Sequence, residues 1–231
     1  MADKYKIVVE LDETTLKQLD QDKFSLYAFK GVETKNGGGQ PVLWFRMNDF
    51  GPRTEISWTE SYQAYWSNYK EITNDLQIGI SGEKEIDLGQ YFDVNDNGTS
   101  EVNGGGPVSQ ITIRNQGNKP RNCGLSQKAL NGGFSPLCVF PLHGTNRDAI
   151  MPKLSVLLIF ESQLFETSTV YMQAFGKGLL VDLTNESSHQ RQVSYEINHG
   201  WDWGQKPWAS IIDQGAPLDK SLITVNPNLK V

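Results

Sequence analysis

The sequence contains no long hydrophobic run. Its most continuous apolar stretch, residues 154–160, is far shorter than the roughly 18 apolar residues that a membrane-spanning helix requires. The first residues also lack the apolar segment of a secretory signal. We therefore expect no transmembrane segment, and a protein that is cytoplasmic, is released by a route without a signal, or has lost a leader that preceded residue 1.

Positive charge is scarce as well. The chain has 21 Lys and Arg against 27 Asp and Glu, which gives a formal net charge of −6, and its basic residues form no local run. Affinity for nucleic acid comes largely from Lys and Arg at phosphates. The composition therefore predicts that nucleic acid is not a partner.

Cysteine and histidine are few, with two and three copies. Cys123 and Cys138 would form a disulfide in an oxidising compartment, but without a visible signal we expect free thiols. The histidines lack metal-ligand spacing, and the chain has no G-x-S-x-G, P-loop or dinucleotide motif. Cys138, His143 and Asp148 are close in sequence, yet a Cys–His–Asp hydrolase needs spatial contact, which spacing does not show. No catalytic residue is assigned.

Short stretches of alternating apolar and polar residues dominate the chain. Residues 4–11 and 192–198 show this alternation most clearly, and Gly, Asn, Pro or Asp separate the stretches. The repeated pattern predicts an all-β fold, an antiparallel β-sandwich of about a dozen strands in a single domain over residues 1–231. Residues 13–20, which follow the capping residue Asp12, predict one short helix.

Two segments bear on the internal organisation of this domain. The apolar stretch at residues 154–160 predicts a strand that is covered on both faces, at the centre of the core. The glycine-rich segment at residues 97–106 is the one candidate for a domain boundary. We interpret it as a long surface loop within a single domain.

The first candidate binding segment is an aromatic run that contains Trp58, Tyr62, Tyr65 and Trp66. On a strand, Trp58, Tyr62 and Trp66 would share one face. If that face is exposed, its rings would stack on sugars or lie at a membrane interface. If it is buried, the same residues form part of the core, as large aromatic residues commonly do.

The second candidate lies at residues 201–208, which hold three of the six tryptophans, Trp201, Trp203 and Trp208. Glycines and a proline oppose regular structure there and predict a surface loop. Tryptophan beside Asp202 combines a flat apolar face with a hydrogen-bonding edge, which suits a polyhydroxylated ligand. In the alternative interpretation the tryptophans fold back and close one end of the sandwich.

A third segment, at residues 93–101, matches the opening of a calcium-binding loop. The oxygen ligands would come from Asp93, Asn95, Asn97, Thr99 and Glu101. Position 12 of the loop, where calcium sites place a bidentate Glu, is Gly104. A turn rich in Asp and Asn has the same pattern for conformational reasons alone. We therefore predict no cofactor, or at most weak calcium binding.

These patterns favour a non-enzymatic recognition protein that binds carbohydrate or a membrane surface, like a lectin or a toxin. The contact surfaces would be the two aromatic segments. One alternative is a glycan hydrolase with paired carboxylates, which the many Asp and Glu residues leave open. Another is a structural protein that forms homo-oligomers through exposed sheet edges.

Overall fold

The computed structural model describes residues 4–128 and 132–230. Strands make up 51% of the structure and helices 6%. The predicted all-β, sandwich-like fold with a short helix is therefore confirmed. None of the helices in the described part combines the length and the apolar character that crossing a bilayer demands.

The described residues form nineteen strands and two helices, more strands than the dozen expected. The first half consists of β1 (Lys4–Leu11), α1 (Glu13–Gln21), β2 (Ser25–Thr34), β3 (Gln40–Pro41), β4 (Phe45–Met47), β5 (Arg53–Thr59), β6 (Tyr62–Asn68), β7 (Gly82–Ile86), β8 (Tyr91–Val94), β9 (Ser100–Asn103) and β10 (Ile111–Asn115). The second half consists of β11 (Arg121–Lys128), β12 (Phe134–Pro136), β13 (Cys138–Leu142), β14 (Arg147–Glu161), β15 (Gly178–Asp182), β16 (Gln190–Glu196), β17 (Gly200–Asp202), β18 (Ala209–Ile212), α2 (Leu218–Leu222) and β19 (Ile223–Val225).

The strands pair into three sheets. A four-stranded sheet has the order β17-β16-β1-β5, and a six-stranded sheet has the order β3-β13-β11-β6-β7 with β12 beside β11. The nine-stranded sheet runs β18-β15-β14-β10-β8-β9, with β2 against β14 and with β4 and β19 against β2. Most pairs are antiparallel as predicted, but β1 with β16, β8 with β10 and β2 with β19 are parallel.

Strand β14 lies at the centre of the nine-stranded sheet. Its residues 156–159 pair with β15 on one side and with β2 on the other, and all four are fully buried. The prediction of a strand covered on both faces is therefore confirmed. The largest cluster of buried side chains includes Ile7, Leu125 and Leu158, and so it draws on all three sheets.

Two local predictions have different outcomes. Asp12 caps α1 as expected, because its side chain accepts a hydrogen bond of 2.6 Å from the Thr15 amide. The segment at residues 97–106 is not simply a loop. It contains β9, which forms a hairpin with β8 at the edge of the nine-stranded sheet.

A buried carboxylate links β14 to β2. The Thr34 hydroxyl lies 3.0 Å from both oxygens of Asp148, and the Asn36 amide donates to one of them at 3.2 Å. Burial raises the pKa of Asp148 from 3.8 to about 6, although these hydrogen bonds oppose the change. The fold therefore favours the protonated form of this carboxyl.

We expect this carboxyl to make the protein less stable as pH rises from about 4 to about 6. A folded-state pKa above the unfolded value stabilises the fold below pH 4, and this contribution is lost as pH passes the folded pKa. A shift of this size corresponds to about 3 kcal/mol. Asp148→Asn should therefore flatten this pH dependence in urea unfolding curves. The exposed Asp213→Asn is the matched control, and identical pH slopes for both variants would contradict the expectation.

Candidate functional site

The first aromatic segment lies in the core. Trp58, Tyr62, Tyr65 and Trp66 are all buried, and the Tyr65 hydroxyl donates to the Cys138 carbonyl oxygen at 2.7 Å. These four residues therefore present no ring face that a ligand could reach. Core packing replaces the contact-surface interpretation. Trp58, Tyr62 and Trp66 belong to the largest cluster of buried side chains, whereas Tyr65 lies on the other face of β6 and packs against Gly124.

The tryptophans of the second segment have different environments. Trp201 lies on the short strand β17 and is buried, with its ring stacked on Phe160 at 5.4 Å between ring centres. Trp203 and Trp208 are partly exposed and Asp202 is exposed. The predicted loop is therefore a strand followed by turns, and Trp201 is a core residue. Ligand contact at Trp203 and Trp208 stays a prediction.

Those two partly exposed tryptophans are held in place by polar neighbours. The Trp203 indole N–H donates to the Lys206 carbonyl oxygen at 3.0 Å. The Arg191 guanidinium lies 4.8 Å from the centre of the Trp208 ring, and it also pairs with Glu186. An arginine over an aromatic face is attracted by the ring quadrupole. The Arg191 side chain therefore covers part of one ring that a ligand would use.

In the predicted calcium-binding segment, the first acidic residue, Asp93, is already bound by other side chains of the protein. The Asp93 carboxylate accepts hydrogen bonds from Arg114 Nε and Nη2 at 2.6 Å each, and from Asn103 at 2.7 Å. Burial raises the pKa of Asp93, but the hydrogen bonds from Arg114, Gln116 and Asn103 outweigh it and lower the pKa overall. Calcium would have to displace a guanidinium here.

Three of the remaining calcium candidates, Asn95, Asn97 and Thr99, form hydrogen bonds with one another. Asn97 Oδ1 accepts from the hydroxyl of Thr99 at 2.8 Å, and Asn95 donates to the same hydroxyl at 3.1 Å. Within residues 4–128 and 132–230, no three His, Cys, Asp or Glu side chains are grouped to hold a metal ion. Weak calcium binding at Asp93, Asn95, Asn97, Thr99 and Glu101 stays a prediction.

Both cysteines are unpaired and buried, Cys123 on β11 and Cys138 at the start of β13. Burial raises the pKa of Cys123 well above its ordinary value and that of Cys138 to about 12. A thiol with such a pKa remains protonated at neutral pH and is a poor nucleophile. The raised pKa values therefore disfavour either thiol as the nucleophile of a Cys–His–Asp hydrolase.

A groove that the sequence did not indicate lies between residues 74–75 and residues 163–175. It encloses about 580 Å³ and is lined by Asn74, Asp75, Gln163, Phe165, Tyr171, Met172, Gln173, Ala174 and Phe175. Residues 169–175 alternate like a strand, but they form only isolated bridges, to residues 42, 77 and 217. No spacing marks this groove, because distant segments of the chain build it together.

One wall of this groove, which we call the aromatic wall, consists of Phe165, Tyr171 and Phe175. Phe165 and Phe175 are stacked with ring centres 3.8 Å apart, and Tyr171 meets both rings edge-on. The Tyr27 hydroxyl fixes this wall to β2, because it donates to the Gln163 carbonyl oxygen and accepts from the Phe165 amide. The two phenylalanines are partly exposed.

The groove also has polar lining residues. Asn74 Oδ1 accepts from the Met172 amide at 3.0 Å, and Asn74 Nδ2 donates to the Asp75 carboxylate at 2.8 Å. Asp75 has a positive φ of 63° and its amide donates to the Val170 carbonyl oxygen. A non-glycine residue in this conformation is uncommon, and such residues cluster at functional sites. Here the conformation accompanies an exposed carboxylate at the rim of the groove.

The Tyr171 hydroxyl is the polar group of the aromatic wall. Burial raises its pKa, and the nearby carboxylates of Asp75 and Glu166 raise it further, although the Glu166 amide donates to the hydroxyl. Tyr171 therefore stays protonated near neutral pH. The groove combines apolar rings with amide, carboxylate and hydroxyl groups.

Comparison of the chain with models of protein families, with curated proteins and with solved structures gives no match. Since a fold alone does not define a function, the function has to be argued from the geometry and chemistry of the site.

Proposed function

We propose that this protein is a non-enzymatic carbohydrate-binding module whose ligand occupies the groove between residues 74–75 and 163–175. One observation carries the proposal, namely that the aromatic wall and the polar groups of Asn74 and Asp75 line the same groove. A sugar has an apolar C–H face and hydroxyl edges. It therefore suits a concave site that pairs ring faces with a few fixed polar groups.

The small number of carboxylates in this groove favours binding without cleavage. Glycoside hydrolysis commonly requires two carboxyl groups on either side of the scissile bond. The residues that line the groove supply one, Asp75. A membrane surface, the other ligand expected of a lectin-like or toxin-like protein, is disfavoured, because a net charge of −6 opposes approach to anionic lipid.

The test is a glycan array with the wild type, followed by affinity measurements on variants. Asp75→Ala and Phe175→Ala should each weaken binding of the array's best ligand about tenfold, which corresponds to about 1.4 kcal/mol. Leu164→Ala is the matched control, because Leu164 is an exposed apolar neighbour that does not line the groove. It should bind like the wild type.

Two further variants test whether the ligand binds at Trp203 and Trp208 instead of in this groove. If Trp203→Ala and Trp208→Ala abolish binding while Asp75→Ala and Phe175→Ala do not, the ligand lies at the tryptophans and the groove assignment is wrong. If no glycan is retained and vesicles of anionic lipid are bound instead, the carbohydrate proposal fails.

A further inference from the structure

Lys30 is fully buried in the space where the sheets meet. It lies on β2 of the nine-stranded sheet. Its two polar partners are Gln127, on β11 of the six-stranded sheet, and Glu60, in the turn that joins β5 to β6. Lysine is almost never fully buried without a partner for its charge, so this cluster requires a specific explanation.

A single carboxylate oxygen contacts both nitrogen atoms of the cluster. Glu60 Oε1 accepts from Lys30 Nζ at 2.7 Å and from Gln127 Nε2 at 3.2 Å. Lys30 Nζ also lies 2.6 Å from Gln127 Oε1. The orientation of the Gln127 amide follows from its other contact, since Nε2 lies 2.9 Å from the Thr59 carbonyl oxygen, which can only accept.

This arrangement places an amine next to a carboxamide carbon. The carbon Cδ of Gln127 is one carbonyl bond of about 1.23 Å beyond Oε1, so it is within about 3.8 Å of Lys30 Nζ. Reacting atoms held at about 3–3.5 Å are close to an attack geometry. A small rotation of the Gln127 side chain therefore brings the amine over the face of the amide.

Aromatic rings enclose the amine and keep water away. Lys30 Nζ lies 5.9, 5.2 and 5.8 Å from the ring centres of Trp44, Trp58 and Tyr62, which are all buried. The Trp58 indole N–H donates to the same Glu60 oxygen at 2.9 Å. Burial lowers the pKa of Lys30, although Glu60 opposes this effect. The lower pKa increases the fraction of neutral, nucleophilic amine.

We propose that Lys30 and Gln127 join in an intramolecular isopeptide bond, with Glu60 as the group that carries the proton. Lys30 Nζ attacks Cδ of Gln127 while Glu60 accepts a proton from the amine. Glu60 then delivers this proton to Nε2, which leaves as ammonia. One C–N bond forms and one C–N bond breaks, so the reaction needs no oxidant and no further reactant.

Such a bond would link two sheets through residues that are 97 positions apart in the sequence. A cross-link that closes a long loop restricts the unfolded chain and so stabilises the fold. The inference does not depend on the proposed carbohydrate groove, in which Lys30, Glu60 and Gln127 take no part. Either proposal can therefore fail without the other.

Mass spectrometry of the purified full-length chain tests the bond directly. After incubation at neutral pH, the wild type should be lighter than its sequence mass by one ammonia. Trypsin should release a branched peptide that joins residues 24–35 to residues 122–128, with no cleavage after the acylated Lys30. On a denaturing gel the closed loop should make the wild type migrate faster than a variant without the bond.

The variants separate the cross-link from an ordinary buried ion pair. Glu60→Gln keeps the shape of the side chain but removes the proton acceptor, so it should retain the full sequence mass and a cleavable Lys30. Lys153→Met, outside the cluster, should cross-link like the wild type. A wild type of full mass that trypsin cleaves after Lys30 would overturn the proposal, as would an ammonia loss located at Asn36-Gly37.

Discussion

Trp66→Ala is expected to lower the free energy of unfolding by about 3–5 kcal/mol, the cost of removing a large aromatic side chain from a packed core. Trp66 is only 7% exposed, and the Arg121 guanidinium lies 4.0 Å from the centre of its ring. Two glycines pack against this ring, since a Cβ at Gly82 or at Gly98 would lie 2.4 or 3.1 Å from the indole. Alanine would leave a cavity that these rigid neighbours cannot fill.

Urea unfolding of the wild type, Trp66→Ala and Tyr69→Ala measures this loss. Tyr69 lies three residues after Trp66 but is 47% exposed, so its removal should change stability by less than about 0.5 kcal/mol. If Trp66→Ala had wild-type stability but lost glycan binding, the residue would be a ligand contact after all. The assignment of this run to the core would then be wrong.

Gly124→Ala is expected to destabilise the protein by about 3 kcal/mol, near the upper end of the usual cost of overpacking. A Cβ at this position would lie 2.0 Å from the Cys138 carbonyl oxygen and 2.6 Å from the Tyr65 hydroxyl. The carbonyl belongs to the backbone of β13 and cannot rotate away as a side chain would. The hydrogen bond between Tyr65 and Cys138 would be disrupted as β13 moves.

Gly104→Ala is the matched control for this overpacking, because nothing lies within 4 Å of a Cβ at Gly104. Its stability should differ from that of the wild type by less than about 0.5 kcal/mol. Thermal unfolding of both variants by circular dichroism provides the comparison. Equal melting temperatures for Gly124→Ala and Gly104→Ala would show that β11 and β13 do not approach as closely as described.

Several elements could be predicted because their signals are local. Alternation over residues 4–11 corresponds to β1, since a strand turns successive side chains to opposite faces. Asp12 marks the start of α1, because a cap satisfies an amide only a few positions away. The apolar stretch at residues 154–160 lies within β14, where coverage on both faces requires apolar residues throughout.

Other predictions depended on contacts between distant parts of the chain, and these were less successful. Trp58, Tyr62 and Trp66 were considered as residues of one strand, but the chain turns at Glu60 and continues in a different sheet. Residues 169–175 alternate like a strand, yet they form only isolated bridges, to residues 42, 77 and 217. The tryptophans at 201–208 were treated as one group, yet Trp201 is buried and Trp203 and Trp208 are partly exposed.

The sequence by itself determined the all-β class and the position of the first helix, because side-chain alternation and capping act between near neighbours. Tertiary structure alone decided which aromatic residues are buried and which line a groove, since this depends on which sheet covers each face. It also placed Lys30 beside Glu60 and Gln127, which lie far apart in the sequence. The pairing of these polar groups follows from the packing of three sheets, because a buried charge is stable only where distant strands bring its partners to it.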